Sequence, residues 1–194
     1  MKHTLSNSLR ILAALLLLNT VPALAQNAES SGEYATVVSN TGMVRNTRAL
    51  FIGGRGGWTF DHTYAIGIGG YTLLNDIQAR IPDTSGNYLM TMSYGGFDLE
   101  YSSSIGESYY VTIQTLVGAG SIGHKETVYL NPRQYHDPFF VFEPSVSVEI
   151  AVTKIFRIGI GASYREVASL ESNIASNSDL SGASGFLSLK VGFF

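Results

Sequence analysis

A hydroxyl, an imidazole and a carboxylate lie close together at Ser121, His124 and Glu126. A hydrolase uses such groups as nucleophile, general base and orienting acid. His124, His136 and Asp137 form a second set, of the nitrogen and oxygen donors that hold zinc or a harder cation. Neither set has the spacing its chemistry needs. Three residues at a strand end do not bring a Ser and a His onto a common outward face, and the His–Asp set has no ordered ligand spacing. The glycines of residues 53–58, GGRGGW, sit within a strand pattern rather than ahead of a helix, so they form no phosphate-binding loop. No catalytic residue, no metal ligand set and no cofactor is expected.

A larger set of chemically able groups follows a period of two. In residues 139–165, Phe140, Phe142, Pro144, Val146, Val148 and Ile150 alternate with Glu143, Ser145, Ser147 and Glu149. After a tight link at residues 152–154, Phe156, Ile158, Ile160, Ala162 and Tyr164 alternate with Arg157, Gly159, Gly161, Ser163 and Arg165. Successive side chains of a strand point to opposite faces, so one face is apolar and the other carries carboxylates and guanidinium groups. Applied along the chain, this alternation puts Arg55, Asp98, Glu100, Glu143, Glu149, Arg157, Arg165 and Lys190 on one side, four acids and four bases. A soluble sheet turns such charges to water; a membrane barrel turns them into its lumen. An eight-stranded barrel is just wide enough for side chains to fill, and an ion path would be lined by an excess of one sign. The balanced set therefore reads as a neutral lumenal charge network that plugs the barrel, with a narrow pore as the alternative. Replacing Glu149 is expected to strand a base, Arg157 first.

The elements that must hold these groups are strands. The chain has 194 residues, 21 Gly, 11 Tyr, 10 Phe and no Cys, and only 14% of it is charged. Residues 1–25 read as a cleaved signal peptide: Lys2, His3 and Arg10 ahead of and around an apolar run at 11–18, then Ala23-Leu24-Ala25. That run is shorter than the roughly 20 residues of a spanning helix. Removing the peptide takes away Lys2 and Arg10 and no acid, so the net charge goes from −3 to −5, which argues against nucleic acid as a partner. An exported chain without Cys has no disulfide scaffold. No segment after residue 25 is a membrane helix, and a chain that enters a membrane without one does so as a closed barrel.

Residues 26–33 read as a mobile polar N-terminus and 34–194 as the barrel. Eight strands are expected, at about 34–42, 48–60, 64–73, 89–102, 108–121, 139–151, 155–165 and 183–194. The links at 61–63, 103–107 and 152–154 are short, and those at 74–87, 122–137 and 168–182 are long and polar. The link at 43–47 is short where a long one was due. Short turns at one end and long loops at the other are the rhythm of an antiparallel up-and-down transmembrane β-barrel. With both termini at the short-turn end, the outward aromatics Trp58, Phe60, Tyr64, Tyr101, Tyr109, Phe156 and Phe193 gather there, as an aromatic girdle does at a membrane interface. Phe140 and Tyr164 belong to the opposite one. Pro144 cannot donate to a ladder, and a closed barrel has no free edge, so a bulge is expected there.

The chain resembles the small eight-stranded outer-membrane β-barrel proteins of Gram-negative bacteria, and among them a group of predicted barrels with no activity to carry over. The resemblance rests on GGRGGW at 53–58, IGIGGYTLLNDI at 66–77, FVFEPSVSVEI at 140–150 and SDLSG at 178–182, and it covers most of residues 26–194. It implies an outer-membrane location, contact with outer-membrane lipid and lipopolysaccharide, insertion by the barrel-assembly machinery, and extracellular loops able to hold a ligand. Such barrels usually end on an outward aromatic; here alternation points Phe193 outward and Phe194 toward the lumen. The leading expectation is a non-enzymatic barrel with a structural or surface-interaction role. The alternatives are a lipid A-modifying enzyme, since some small barrels use a His and a Ser near the outer rim, and a soluble periplasmic β-protein.

Overall fold

A computed structural model describes residues 31–79, 88–126 and 135–194. The signal peptide read at 1–25, the stretch 26–30 and the middles of two long loops, 80–87 and 127–134, lie outside the described residues. Eight long strands form one antiparallel sheet: β1 (Ser31–Val44), β2 (Thr47–Phe60), β3 (Tyr64–Leu73), β5 (Tyr88–Ser104), β6 (Tyr109–Glu126), β7 (Tyr135–Thr153), β8 (Phe156–Ala168) and β9 (Gly182–Gly192). Each pairs with the next, and β1 pairs with β9 from Tyr34↔Gly192 to Gly42↔Ser184, so the sheet closes into a barrel. A two-residue strand, β4 (Gln78–Ala79), runs beside β5 above the end of β3. One short helix, α1 (Asn177–Leu180), lies between β8 and β9. Among the described residues no helix is long and apolar enough to cross a membrane; the strands are the spanning elements.

The alternation separates two faces throughout. Ile68, Phe97 and Ile160 are 67%, 70% and 65% exposed on the outer wall, whereas lumen-facing neighbours such as Asp98 are buried. A belt of exposed Leu, Ile, Val and Phe this continuous has lipid, not water, as its natural solvent.

Several boundaries differ from those the pattern suggests. β1 begins at Ser31, so residues 31–33, read as part of a mobile N-terminus, are strand: the Gly32 amide donates to Thr59 Oγ1 at 3.0 Å and the Phe193 amide to the Glu33 carbonyl at 3.0 Å. β6 and β7 pair up to His124↔Tyr135, which shortens the loop read at 122–137. Alternation fades once both faces leave the apolar belt, but the ladder needs only backbone groups and continues. The short β1–β2 link is a two-residue turn in which Arg45 and Asn46 both have positive φ, 50° and 59°, the geometry that matches hairpin twist. Pro144 makes no bulge. Pairing with β8 lapses at Glu143 and Pro144 and resumes at Ser145↔Ser163 in unchanged register, so the missing N–H is absorbed by a local gap. The register shift lies at Ala151–Thr153, beside the β7–β8 turn.

Candidate functional site

The lumen is the chemically distinctive region, and it is filled in tiers. At the short-turn end, Lys190 on β9 forms an ion pair with Glu100 on β5. Arg157 on β8 lies 3.7 Å from Glu149 Oε2 on β7. Its guanidinium is sandwiched between the Tyr110 and Phe194 rings, at 3.6 and 4.0 Å from their centroids. The Lys190 ammonium stands 4.7 Å from the Tyr34 ring and 5.4 Å from Phe194. Phe194 is thus turned inward over both cations, while Phe193 is exposed.

Halfway up, the remaining charges find neutral partners. Asp98 accepts from the Gln114 amide and from the Tyr34 hydroxyl at 3.2 Å. Glu143 Oε1 accepts from Ser163 at 2.7 Å and from the Asn40 amide at 3.3 Å. Arg55 Nε donates to the Tyr71 hydroxyl at 2.6 Å, and its guanidinium lies 5.5 Å from the Phe186 ring. Arg165 is completely buried; its Nε donates to the Leu180 carbonyl at 2.8 Å and its guanidinium lies over the Phe51 ring at 4.7 Å. Of four acids and four bases, two of each form direct ion pairs. Hydroxyls, amides, a carbonyl and aromatic faces hold the rest. Glycine makes room for these long groups: a Cβ at Gly53 would fall onto the Tyr71 ring, and one at Gly161 onto Phe186.

At the long-loop end the lumen turns apolar, a feature the alternation pattern missed. Val44, Phe51, Ile77, Met90, Ile122 and Phe139 pack with Ile174, Ala175 and Leu180 from the segment between β8 and β9. That segment reads as a polar loop, but its three apolar side chains point down into the barrel. Ser176 caps α1: its hydroxyl accepts from the Asp179 amide at 3.3 Å, and Asp179 Oδ2 accepts from the Ser176 amide at 2.9 Å. The Asp179 carboxyl is held below its ordinary value first by the Ser176 amide and then by the Ser176 hydroxyl, which donates to Oδ2 at 2.8 Å. The Asp179 carbonyl in turn accepts from the Arg45 amide at 2.8 Å, and Ser181 Oγ accepts from the Val167 amide at 2.9 Å. Ser176 and Asp179, three apart ahead of Leu180, were the legible signal for this cap.

Ser121 and His124 stand on opposite faces of β6, and the His124 ring packs edge-on against Tyr88 at 5.4 Å inside the rim. Glu126 ends β6. His136 and Asp137 pair across β6 with Gly123 and Ile122. Among the described residues no three metal-binding side chains cluster. Trp58, Phe60, Tyr64, Tyr101, Tyr109 and Phe193 are exposed, Phe156 is half-buried, and all lie near the short-turn end; the Tyr64 and Tyr101 rings touch at 5.4 Å.

No protein-family model matches the chain, and no curated protein matches it in sequence. Solved structures do match. The crystal structure of Neisserial surface protein A superposes with a TM-score of 0.56 at 11% identity, over 84% of this chain and 96% of that one. Ail, the attachment invasion locus protein of Yersinia pestis, in complex with the heparin analogue sucrose octasulfate, gives a TM-score of 0.50 at 11% identity, over 86% of this chain and all of that one. At these identities the likeness is one of fold.

Proposed function

We propose that this chain, which has the fold of the small eight-stranded outer-membrane β-barrels, resides in the outer membrane as a non-conducting, non-enzymatic barrel that presents its long-loop end for surface interaction. The observation that carries this reading is the filled lumen: paired and hydrogen-bonded charges below, a packed apolar cap above. An ion path needs a continuous wet lining with an excess of one sign; here four acids face four bases and Arg165 and Asp98 have no exposed surface. The aromatic set at the short-turn end acts as the girdle at the periplasmic interface, and the apolar belt meets outer-membrane lipid and lipopolysaccharide. Export through a cleaved signal peptide at 1–25 and insertion by the barrel-assembly machinery belong to the same proposal. Joint catalysis by Ser121 and His124 does not, since β6 turns them to opposite faces. On the long-loop side, exposed Asn46, Asp76, Glu171 and Asn177 are available to an extracellular ligand, on segments set by a rigid scaffold.

The test has two parts. The detergent-extracted protein is expected to migrate differently before and after boiling, and the same protein in planar bilayers is expected to show no conductance steps. Co-migration of the two gel samples would refute the membrane barrel; steady unitary conductance would refute the sealed lumen.

A further inference from the structure

The outer wall carries a groove of about 450 Å³ that the lumen does not explain. Its outward-facing lining is Ile52 and Gly54 on β2 and Gly70 and Thr72 on β3, with Tyr71 and Tyr94 completing its floor. Gly54 pairs with Gly70, Gly70 with Gly95, and Gly95 with Ala119, so four adjacent strands lack bulk at one level. Glycine weakens a strand unless something requires it. At Gly53 and Gly161 the requirement is internal, since a Cβ would strike a buried ring, and at Gly95 it is too, since a Cβ would meet the Gly69 carbonyl at 2.6 Å. At Gly54 and Gly70 it is not: a Cβ there would meet its nearest atom at 3.6 and 3.4 Å, an ordinary contact. Neither residue has a positive φ. The side chains are missing where the fold has room for them, on a wall whose surroundings are apolar.

What lies above the groove identifies its occupant. The outward positions of β2 from the short-turn end are Phe60, Trp58, Gly56, Gly54, Ile52, Leu50 and Arg48. The ten residue steps from Phe60 to Leu50, at about 3.3 Å each and tilted about 40°, span about 25 Å, the height of a barrel's apolar band. Arg48 then stands at headgroup level on the long-loop side. It is exposed, and its side chain has no ion pair among the described residues, including with Asp76, although Asn75 ties that segment to the Arg48 carbonyl at 2.9 Å. A cation above an apolar trough matches an anionic head on an acyl tail. Two copies of the chain meeting on this wall would set Arg48 against Arg48, and no outward position of β2 or β3 offers a carboxylate.

We infer that this groove seats one acyl chain of a phosphorylated outer-leaflet lipid whose phosphate rests on Arg48. The inference rests on the membrane reading above and adds a fixed lipid site to it. The full chain is refolded into phosphatidylcholine nanodiscs doped with lipid A or with its dephosphorylated form, and retained lipid is counted by native mass spectrometry. The wild type retains lipid A. Gly54→Leu with Gly70→Leu, and separately Arg48→Gln, each lower retention about tenfold, the loss of one good contact. Val148→Leu on the opposite wall changes nothing. Wild-type retention by the filled-groove variant, or equal retention of the dephosphorylated lipid, overturns the site. So does a cross-linked dimer that the filled groove abolishes, which would make a second copy the occupant. Arg48→Gln stands alone as the test if the Leu pair does not fold. A wild type that is not heat-modifiable refutes the membrane reading; a heat-modifiable wild type indifferent to these changes refutes only the groove.

Discussion

A cation inside a lumen packed with side chains must replace its water, and this barrel does so in several ways: a carboxylate for Lys190, a hydroxyl for Arg55, a peptide carbonyl for Arg165. Arg157 combines a carboxylate with two aromatic faces. Removing one partner is therefore worse than removing both, because the survivor stays buried. Glu149→Ala is expected to lower stability by about 3–5 kcal/mol, read as a lower midpoint of urea unfolding in detergent. Glu149→Gln keeps an oxygen near Arg157 and is expected to cost less. An unchanged midpoint in the Ala variant would mean that the carboxylate faces bulk water. The side of the wall each charge occupies is legible from its neighbours' polarity, two residues apart. The partner is not: Lys190 on β9 meets Glu100 on β5, a contact set by stagger across the lumen, which no local pattern encodes.

Elements show where the pattern loses its grip. Alternation marks a strand only while lipid lies on one side and the lumen on the other, so β6 and β7 run on past it, and the segment between β8 and β9 hides a cap among Ser and Asn residues. Ser176→Ala is expected to weaken this cap by about 0.5–2 kcal/mol, measured as faster amide exchange from Ile174 to Ser181. The cap also has an acid limit. The folded Asp179 carboxyl lies below its ordinary 3.8, so its contribution is complete above that value and is lost as pH falls through the lowered one. Amide protection at Ser176 should therefore persist at pH 3.8 and fade only in stronger acid. In Asp179→Asn that acid step should be missing; the same step in the variant would assign it to another group.

At the scale of the whole molecule, the apolar cap and the polar network are two seals in series. Leu180→Asp puts a charge into a fully buried apolar position and is expected to undock residues 169–181, seen as new protease cleavage there, while the barrel stays non-conducting because the lower tier is intact. Conductance in that variant would make the cap the only barrier. The class of fold was open to reading because lipid and lumen impose opposite chemistry on every second residue of eight strands. The sealing of the upper lumen was not, because it depends on a segment with no period folding back over the strands. The seam between β1 and β9 has a further consequence. Tyr34 pairs with Gly192, and the Phe193 amide reaches the Glu33 carbonyl at 3.0 Å. Residues from opposite ends of the described chain thus complete the wall, and Phe194 lays its ring over two cations below it. Contacts so distant in sequence form late. A polypeptide halted before β9 would have two open edges in lipid, Arg157 without the Phe194 ring and Glu100 without Lys190, so closure itself inspects whether translation reached this far.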